Sequence, residues 1–181
     1  MSSAAPPAGG SEPPGEPLGP SDGRMVVAPI SGVVRSLRQV PDPVFAEEMV
    51  GPGLAVEPDG GHVLQVLAPV AGVVHKAQPH AVVITPGSDT GTDTGSGVLV
   101  HLGLDTVRLE GAGFTLHVRT GDRVHTGTHV LDWDPGPARA AGLGLISPVV
   151  LLGVPRTRMR ELARPGTPVR AGQNLLFWSQ A

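Results

Sequence analysis

Two copies of one short pattern decide the fold of this chain: Ala28-Pro-Ile-Ser-Gly-Val-Val34 returns as Ala68-Pro-Val-Ala-Gly-Val-Val74. A Pro and a Gly separate short apolar runs in each copy, which predicts a strand, a turn and a second strand. Another pattern is also duplicated, because Gly121-x-x-Val124-x-x-Gly127-x-x-Val130 returns as Gly166-x-x-Val169-x-x-Gly172-x-x-Leu175. Internal repeats of this kind indicate a duplicated structural unit.

Similar short apolar runs, with Gly and Pro between them, continue on both sides of these repeats. Many short strands at close spacing are typical of β-sandwiches and barrels. We therefore expect an all-β fold, a flattened β-sandwich or barrel with a duplicated motif and a few short helices near 105–109 and 135–142. The predicted strands are 25–28, 32–37, 54–58, 62–67, 72–76, 81–85, 97–102, 130–133, 149–152 and 174–178.

The first part of the chain differs in composition from the rest. Residues 1–24 are mostly Pro, Gly, Ala, Ser and Glu and offer almost nothing to bury, so we predict a disordered tail followed by one domain over 25–181. The polar stretch 87–97 lacks the glycine-rich pattern that binds phosphate, and we interpret it as a flexible excursion between two strands.

Composition also excludes several functional classes. The chain has no Cys, a net charge of −3 and only 13 Lys and Arg, which excludes disulfides and thiolate sites and argues against nucleic acid as a partner. No apolar stretch is long enough to span a membrane, and the first residues contain no secretory signal. We therefore expect a cytoplasmic protein.

Two of the seven histidines occupy positions that suggest chemistry. His101 ends a continuous apolar run and is followed by Gly103, which lets the backbone turn closely past the imidazole, while His80 directly precedes another apolar run. If the two predicted strands are neighbours, both imidazoles face one surface. A neutral imidazole is a good nucleophile near pH 7 and can hold a phosphoryl group, and a second imidazole can stabilise that group in transit.

Longer segments carry a family resemblance. Val40-Pro-Asp-Pro-Val-Phe-Ala-Glu-Glu-Met-Val-Gly-Pro-Gly-Leu-Ala-Val56, Val98-Leu-Val-His-Leu-Gly-Leu-Asp-Thr-Val107 and Leu109-Glu-Gly-Ala-Gly-Phe114 resemble, in this order, the signatures of the glucose-type EIIA domain. That domain belongs to the bacterial phosphoenolpyruvate:sugar phosphotransferase system. The resemblance implies a flattened, duplicated β-sandwich that accepts a phosphoryl group from HPr and passes it to an EIIB domain of a membrane sugar permease.

The resemblance also implies roles for individual residues. His101 matches the histidine that is phosphorylated on Nε2, His80 the second active-site histidine, and Gly103 the residue whose carbonyl binds the other ring N–H. The remaining matches are the flanking carboxylates Asp42 and Asp105, the apolar partner-binding rim of Val44, Phe45, Val50 and Val107, and Gln78, which replaces a common Thr and is expected to orient His80.

No cofactor is implied beyond the covalent phosphohistidine, and zinc is expected only in a regulatory complex, so no metal site is predicted in the chain itself. A carrier that binds donor and acceptor through one face is expected to be a monomer. Regulatory targets are a further class of partner that the family implies.

Two other classes share some of these patterns. Biotinyl and lipoyl carrier domains have similar repeats but need a lysine at an exposed hairpin tip, and the one lysine here is Lys76. Zinc peptidases of a related duplicated fold use a pair spaced like His101-x-x-x-Asp105, but this chain lacks their His-x-His motif.

Overall fold

The computed structural model describes residues 23–87 and 95–179, which contain fourteen strands and two short α-helices. The strands are β1 (Gly23–Val27), β2 (Gly32–Ser36), β3 (Gly53–Glu57), β4 (Leu64–Leu67), β5 (Gly72–Gln78), β6 (Ala81–Thr85), β7 (Gly97–His101), β8 (Phe114–Leu116), β9 (Arg123–Val124), β10 (His129–Trp133), β11 (Ser147–Leu152), β12 (Met159–Glu161), β13 (Pro168–Val169) and β14 (Asn174–Ser179). The helices are α1 (Pro43–Ala46) and α2 (Gly136–Ala140), and single 3-10 turns occupy Leu37–Gln39, Thr106–Leu109 and Arg156–Arg158.

The strands form one large sheet and two small ones. The large sheet has the order β13-β2-β3-β11-β7-β6-β5-β9, and the small sheets have the orders β1-β14-β12 and β4-β10-β8. All pairings among the described strands are antiparallel. The predicted all-β fold with a few short helices is confirmed.

The two Ala-Pro repeats are hydrogen-bonded to each other. The Val27 N–H donates to the Pro69 carbonyl and the Leu67 N–H donates to the Pro29 carbonyl, each at 2.9 Å. Proline has no N–H of its own but keeps a free carbonyl, so it accepts such a bond at the point where a strand ends. The reciprocal pair of bonds relates the two copies by an approximate twofold axis.

Each copy also binds one of the duplicated Gly turns in the same way. The backbone of the alanine at the start of each copy donates one hydrogen bond to the turn and accepts one from it. The four bonds are Ala28 N–H to Gln173 O (2.8 Å), Gly172 N–H to Ala28 O (2.8 Å), Ala68 N–H to Thr128 O (2.7 Å) and Gly127 N–H to Ala68 O (2.8 Å). Both repeats detected in the sequence are therefore parts of one duplicated unit.

The core is aliphatic and divided in two. The larger cluster fills the space between the sheets and includes Trp133, which is fully buried and stacks on Phe114 at a ring distance of 5.9 Å. The smaller cluster lies under α1 and the chain segment after β7. Its buried members are Leu37, Val40, Phe45, Ala55, Leu104, Ile146 and Val150.

Several elements differ from the sequence prediction. Strand β1 begins at Gly23, two residues before the predicted strand, because Gly23 and Arg24 pair with Ser179 and Trp178 of β14. The other residues of the predicted tail, 1–22, and residues 88–94 of the polar excursion lie outside the described residues. The sequence patterns also missed β8, β9, β12 and β13, which are only two or three residues long and too short to show an alternating pattern.

The predicted helix near 135–142 is present as α2, whereas the one near 105–109 is a 3-10 turn. Helix α1 was not predicted, although Asp42 before Pro43 is a typical helix start: the Val44 N–H donates to the Asp42 carboxylate at 2.8 Å. Within the described ranges, no helix has the length and apolar character needed to cross a membrane.

The equivalent glycines of the two Ala-Pro repeats generate the first prediction. A Cβ on Gly32 would lie 2.3 Å from the Glu57 carbonyl oxygen, and a Cβ on Gly72 would lie 2.3 Å from the Thr85 carbonyl oxygen. We predict that Gly32→Ala and Gly72→Ala each lower the free energy of unfolding by about 1–3 kcal/mol in urea titrations, because two paired strands must move apart. Gly87→Ala, where a Cβ meets nothing within 4 Å, is the matched control and should change stability little. Equal stability of all three variants would contradict this explanation of the repeats.

Candidate active site

Neighbouring strands bring His80 and His101 together. Strands β6 and β7 pair with Ala81 opposite His101, and the Leu102 N–H donates to the His80 carbonyl at 2.8 Å. The two imidazole rings lie 5.3 Å apart, centroid to centroid, with one edge directed at the face of the other. The sequence placed the two histidines at the ends of two apolar runs, and the antiparallel pairing of β6 with β7 brings these two ends together.

A backbone carbonyl fixes the tautomer of His101. Its Nδ1 lies 2.7 Å from the Gly103 carbonyl oxygen, as the family resemblance implied. A carbonyl oxygen can only accept a hydrogen bond, so Nδ1 must carry the proton. In the neutral ring, Nε2 therefore holds the free lone pair and is the nucleophilic nitrogen.

The loop that presents this carbonyl admits only glycine at position 103. Gly103 has a φ of +69°, and a Cβ there would lie 2.7 Å from a Thr106 side-chain carbon and 2.8 Å from the Gly144 carbonyl oxygen. The Gly103 N–H donates to the Ser147 hydroxyl at 3.1 Å, and the Thr106 hydroxyl donates to the Leu102 carbonyl at 2.6 Å.

Ser147 and Thr106 are the two fully buried polar side chains among the described residues, and they hold the loop from either side. The sequence analysis missed both as site residues. One feature of the sequence could have indicated Ser147: it is a polar residue at the first position of β11, whose other residues are all apolar.

Burial keeps both imidazoles neutral. Desolvation lowers the pKa of His101, and the hydrogen bond to Gly103 and the charges of Asp42 and Asp105 oppose that shift only in part. Desolvation is also the main cause that lowers the pKa of His80, followed by the neighbouring charges of His101 and Lys76. Both rings are therefore unprotonated at neutral pH, which leaves Nε2 of His101 free to react.

The two carboxylates flank His101 in different ways. Asp42 is held by the Val44 N–H at the start of α1. Asp105 has a φ of +56° and precedes the 3-10 turn, but its side chain makes no capping hydrogen bond to that turn, which lies wholly within the described residues. The left-handed backbone at Asp105 therefore leads into this turn without a side-chain cap.

Gln78 does not orient His80 in this structure. It is the last residue of β5 and pairs with Ala81 across the hairpin. Within residues 23–87 and 95–179 its amide makes no side-chain hydrogen bond to His80, so the expected orienting contact is missing. The position of His80 is instead fixed through its backbone carbonyl, which accepts a hydrogen bond from the Leu102 N–H.

Phe45 corrects the predicted apolar rim. It is only 7% exposed and packs in the smaller core cluster, with its ring 5.4 Å from that of His101. The expectation of an exposed Phe45 is wrong because the turn of α1 directs this side chain inward, against the ring of His101. Val44, Val50 and Val107 are exposed as predicted, and Met49 joins them.

Comparison with known proteins gives the family. A family model described as phosphoenolpyruvate-dependent sugar phosphotransferase system, EIIA 1, matches residues 24–155. A glucose-specific EIIA component from Halalkalibacterium halodurans is 37% identical over 155 residues, which cover 84% of this chain and 83% of that protein. The chain belongs to the EIIA family of the sugar phosphotransferase system. The glucose-type resemblance found in the sequence is confirmed, and this EIIA chain is a phosphocarrier.

Two further matches extend the comparison. The structure of glucose permease IIA from Mycoplasma capricolum has a TM-score of 0.72 and 29% identity, and the match covers 87% of this chain and 96% of that one. A β-glucoside-specific EIIBCA component from Bacillus subtilis is 39% identical over 129 residues, 70% of this chain and 20% of that protein. The EIIA fold is thus found both as a separate chain and as a part of a longer one.

The structure also removes the basis for the two alternative classes. Lys76 of this EIIA chain lies within β5, opposite Val83, and not at the tip of a hairpin where a biotinyl or lipoyl group would be attached. Among the described residues, His101 and Asp105 belong to no group of three or more potential metal ligands, as a zinc peptidase would require.

The environment of His101 generates a prediction for its titration. We predict that NMR of this EIIA chain shows the Nδ1–H tautomer at neutral pH and a protonation midpoint below the ordinary imidazole value of about 6.5, because burial disfavours the charged ring. Since the unfolded chain then binds more protons than the folded one, His101 should also reduce stability as the pH falls from above 6.5 through its lowered pKa. His101→Gln identifies the resonances by their loss and removes this part of the pH dependence. A midpoint at or above 6.5 would contradict the desolvation argument.

Proposed function

We propose that Nε2 of His101 accepts a phosphoryl group from HPr and passes it to an EIIB domain. The observation that carries this proposal is the 2.7 Å contact between His101 Nδ1 and the Gly103 carbonyl, which leaves the lone pair on Nε2. That lone pair attacks the phosphorus, a nitrogen–phosphorus bond forms, and the bond from phosphorus to the donor breaks. Transfer to EIIB repeats the step with His101 as the leaving group.

His80 has the role of a stabilising partner. Its ring lies 5.3 Å from that of His101, close enough for a phosphoryl group on Nε2 to come within reach of the His80 N–H. A hydrogen bond from a prearranged donor stabilises the charge that the phosphoryl oxygens carry during transfer. Asp42 and Asp105 act at longer range, where their negative charges partly offset the effect of burial on His101.

This reaction needs no separate cofactor, because the phosphoryl group arrives on the donor protein and the nucleophile is a side chain. The fused EIIBCA relative supports EIIB as the acceptor, since EIIA and EIIB are parts of the same chain there. A chain that exchanges phosphoryl groups with HPr must share its compartment, and we place this chain in the cytoplasm.

The exposed apolar residues near the histidines form a docking rim, defined here as Val44, Met49, Val50 and Val107. The first three lie in the segment that buries Phe45 against His101, and Val107 follows Asp105 by two residues. Apolar side chains left in solvent beside a reactive group are typical of a protein interface. We propose that HPr and EIIB both bind this rim, in turn.

Substitution of each histidine separates the two roles. We predict that His101→Gln abolishes phosphate incorporation from phosphoenolpyruvate, enzyme I and HPr, because an amide nitrogen offers no lone pair for attack. His80→Gln should still accept phosphate but pass it on about a hundred to a thousand times more slowly, the usual effect of losing one prearranged donor. Both transfers are followed with radiolabelled phosphate, and circular dichroism checks the fold. Acid-labile phosphate on the His101 variant would show that the nucleophile is elsewhere.

Substitution in the docking rim tests partner binding apart from chemistry. We predict that Val107→Ser lowers the transfer rate from sub-saturating HPr by about fivefold or more, as expected for an interface residue worth over about 1 kcal/mol. Val107 is 60% exposed, so thermal stability should hardly change. Val63→Ser is the matched control, because Val63 is also exposed, at 55%, but precedes β4 in another sheet. Equal rates for both variants would remove Val107 from the interface.

A further inference from the structure

A second cluster of histidines lies in a different sheet from the phosphorylation site. His117 directly follows β8, and His129 and Asp132 belong to β10, in the small sheet β4-β10-β8. The His117 Nε2 lies 2.8 Å from one carboxylate oxygen of Asp132, and the His129 Nε2 lies 2.8 Å from the other. The two imidazole rings are 4.5 Å apart. The proposed phosphoryl transfer uses none of these three side chains.

An irregularity in β10 creates the cluster. Residues three positions apart on a regular strand point to opposite faces, so His129 and Asp132 would be separated. The pairing of β10 with β4 shifts register between His129 and Leu131, and the two consecutive residues Val130 and Leu131 are both buried. A β-bulge of this kind redirects a side chain, and bulges are often found beside functional sites.

The neighbouring strand adds the third member. The backbone N–H of His117 donates to the Val130 carbonyl at 2.9 Å, which fixes His117 against the bulge. Leu116 and Leu131 are cross-strand partners, and Leu131 is fully buried beneath the cluster. The three polar side chains therefore project from a rigid, packed support.

The donor set matches a transition-metal site. Two imidazole nitrogens and a carboxylate are ligands that Zn²⁺ binds in proteins, at about 2.0–2.2 Å, so tetrahedral ligand atoms are about 3.4 Å apart. All three ligand atoms here lie within 4.8 Å of one another, and the shortest contacts are 2.8 Å. Small side-chain rotations are enough to open the cluster around an ion.

We propose that His117, His129 and Asp132 form a binding site for a divalent transition-metal ion, with Zn²⁺ as the best match. Three protein ligands leave a fourth position for water or for a donor atom of another molecule. The ion replaces the two hydrogen bonds to Asp132, and each neutral imidazole carries its proton on Nδ1 while Nε2 binds the metal.

Charge and access agree with this assignment. The Asp132 carboxylate faces both imidazoles, with one oxygen 2.8 Å from the His117 Nε2 and the other 2.8 Å from the His129 Nε2. The side chains of His117, His129 and Asp132 are 38%, 37% and 32% exposed, so an ion reaches them directly from solvent. The proposal differs from the sequence-based expectation that the chain itself has no metal site.

A simpler role for the cluster is an ion pair that ties β8 to β10. Both roles involve the same three side chains, but only the metal site predicts saturable binding that depends on all three. Imidazole is a common zinc ligand, and the rings of His80 and His101 lie 5.3 Å apart, so added zinc bound there must be excluded. The measurement is therefore made on the chain carrying both His80→Gln and His101→Gln.

Calorimetric titration of that protein with Zn²⁺ should show one ion per chain. Adding His117→Ala, His129→Ala or Asp132→Asn should each weaken binding by about tenfold or more, since even outer contacts of metal ligands contribute that much. His125→Ala is the matched control, because His125 is exposed, lies four residues before His129 and is not in the cluster, and it should bind as the parent does.

Two further readouts keep the outcome clear if a variant is unstable. Zn²⁺ should raise the melting temperature of the parent and of the His125 variant but not of the cluster variants, because an ion that binds only the folded state stabilises it. Co²⁺ should give the strong visible absorption of a four-coordinate ion in the parent and in the His125 variant, but not in the cluster variants. No binding to the parent, or equal binding by the cluster variants and the His125 control, would overturn the proposal. Neither result bears on phosphorylation of His101.

Discussion

The reciprocal hydrogen bonds between the two Ala-Pro repeats are the constraint on which the rest of the structure depends. Val27 and Leu67 each donate to the proline carbonyl of the other copy, and this joins the halves of the chain at one place. Because each copy also binds its own Gly turn, strands β2 and β5 leave this junction in equivalent directions. They enter the large sheet near its two ends, next to the terminal strands β13 and β9. The strands that carry the site then fill the interior of that sheet.

The proposed phosphorylation site uses this rigid sheet to prepare a nucleophile. Strand β7 ends at His101, and the loop after it turns back so that the Gly103 carbonyl meets Nδ1. The buried hydroxyl of Ser147 holds that loop, and Phe45 lies against the imidazole ring. A fixed tautomer and a lowered pKa both reduce the reorganisation that the ring needs before it attacks phosphorus. The site therefore depends on backbone position as much as on the two histidine side chains.

The chain contains two pairs of histidines with different surroundings. His80 and His101 lie partly buried, with no carboxylate hydrogen-bonded to either ring in the described part of the chain, which suits a neutral nucleophile and a neutral donor. His117 and His129 both bind the Asp132 carboxylate in a more exposed position, which suits a cation. The same residue type thus supports two kinds of chemistry, and the neighbouring acceptor, a carbonyl or a carboxylate, decides which one.

The sequence by itself determined the all-β class and the duplication, and it singled out His101, His80 and Gly103, which the structure brings together. Strand β6 follows its prediction without change, because a continuous apolar run bounded by Pro-His and Thr-Pro leaves no other local choice. Only the tertiary structure decided that Phe45 is buried, that Ser147 supports the site, and that His129 and Asp132 share a face. The local pattern of apolar residues indicates which side chains are expected to be buried. A one-residue bulge, or the direction of one short helical turn, reverses which of the neighbouring side chains are buried and which are exposed. Those details depend on contacts between residues far apart in the chain, and periodicity does not encode them.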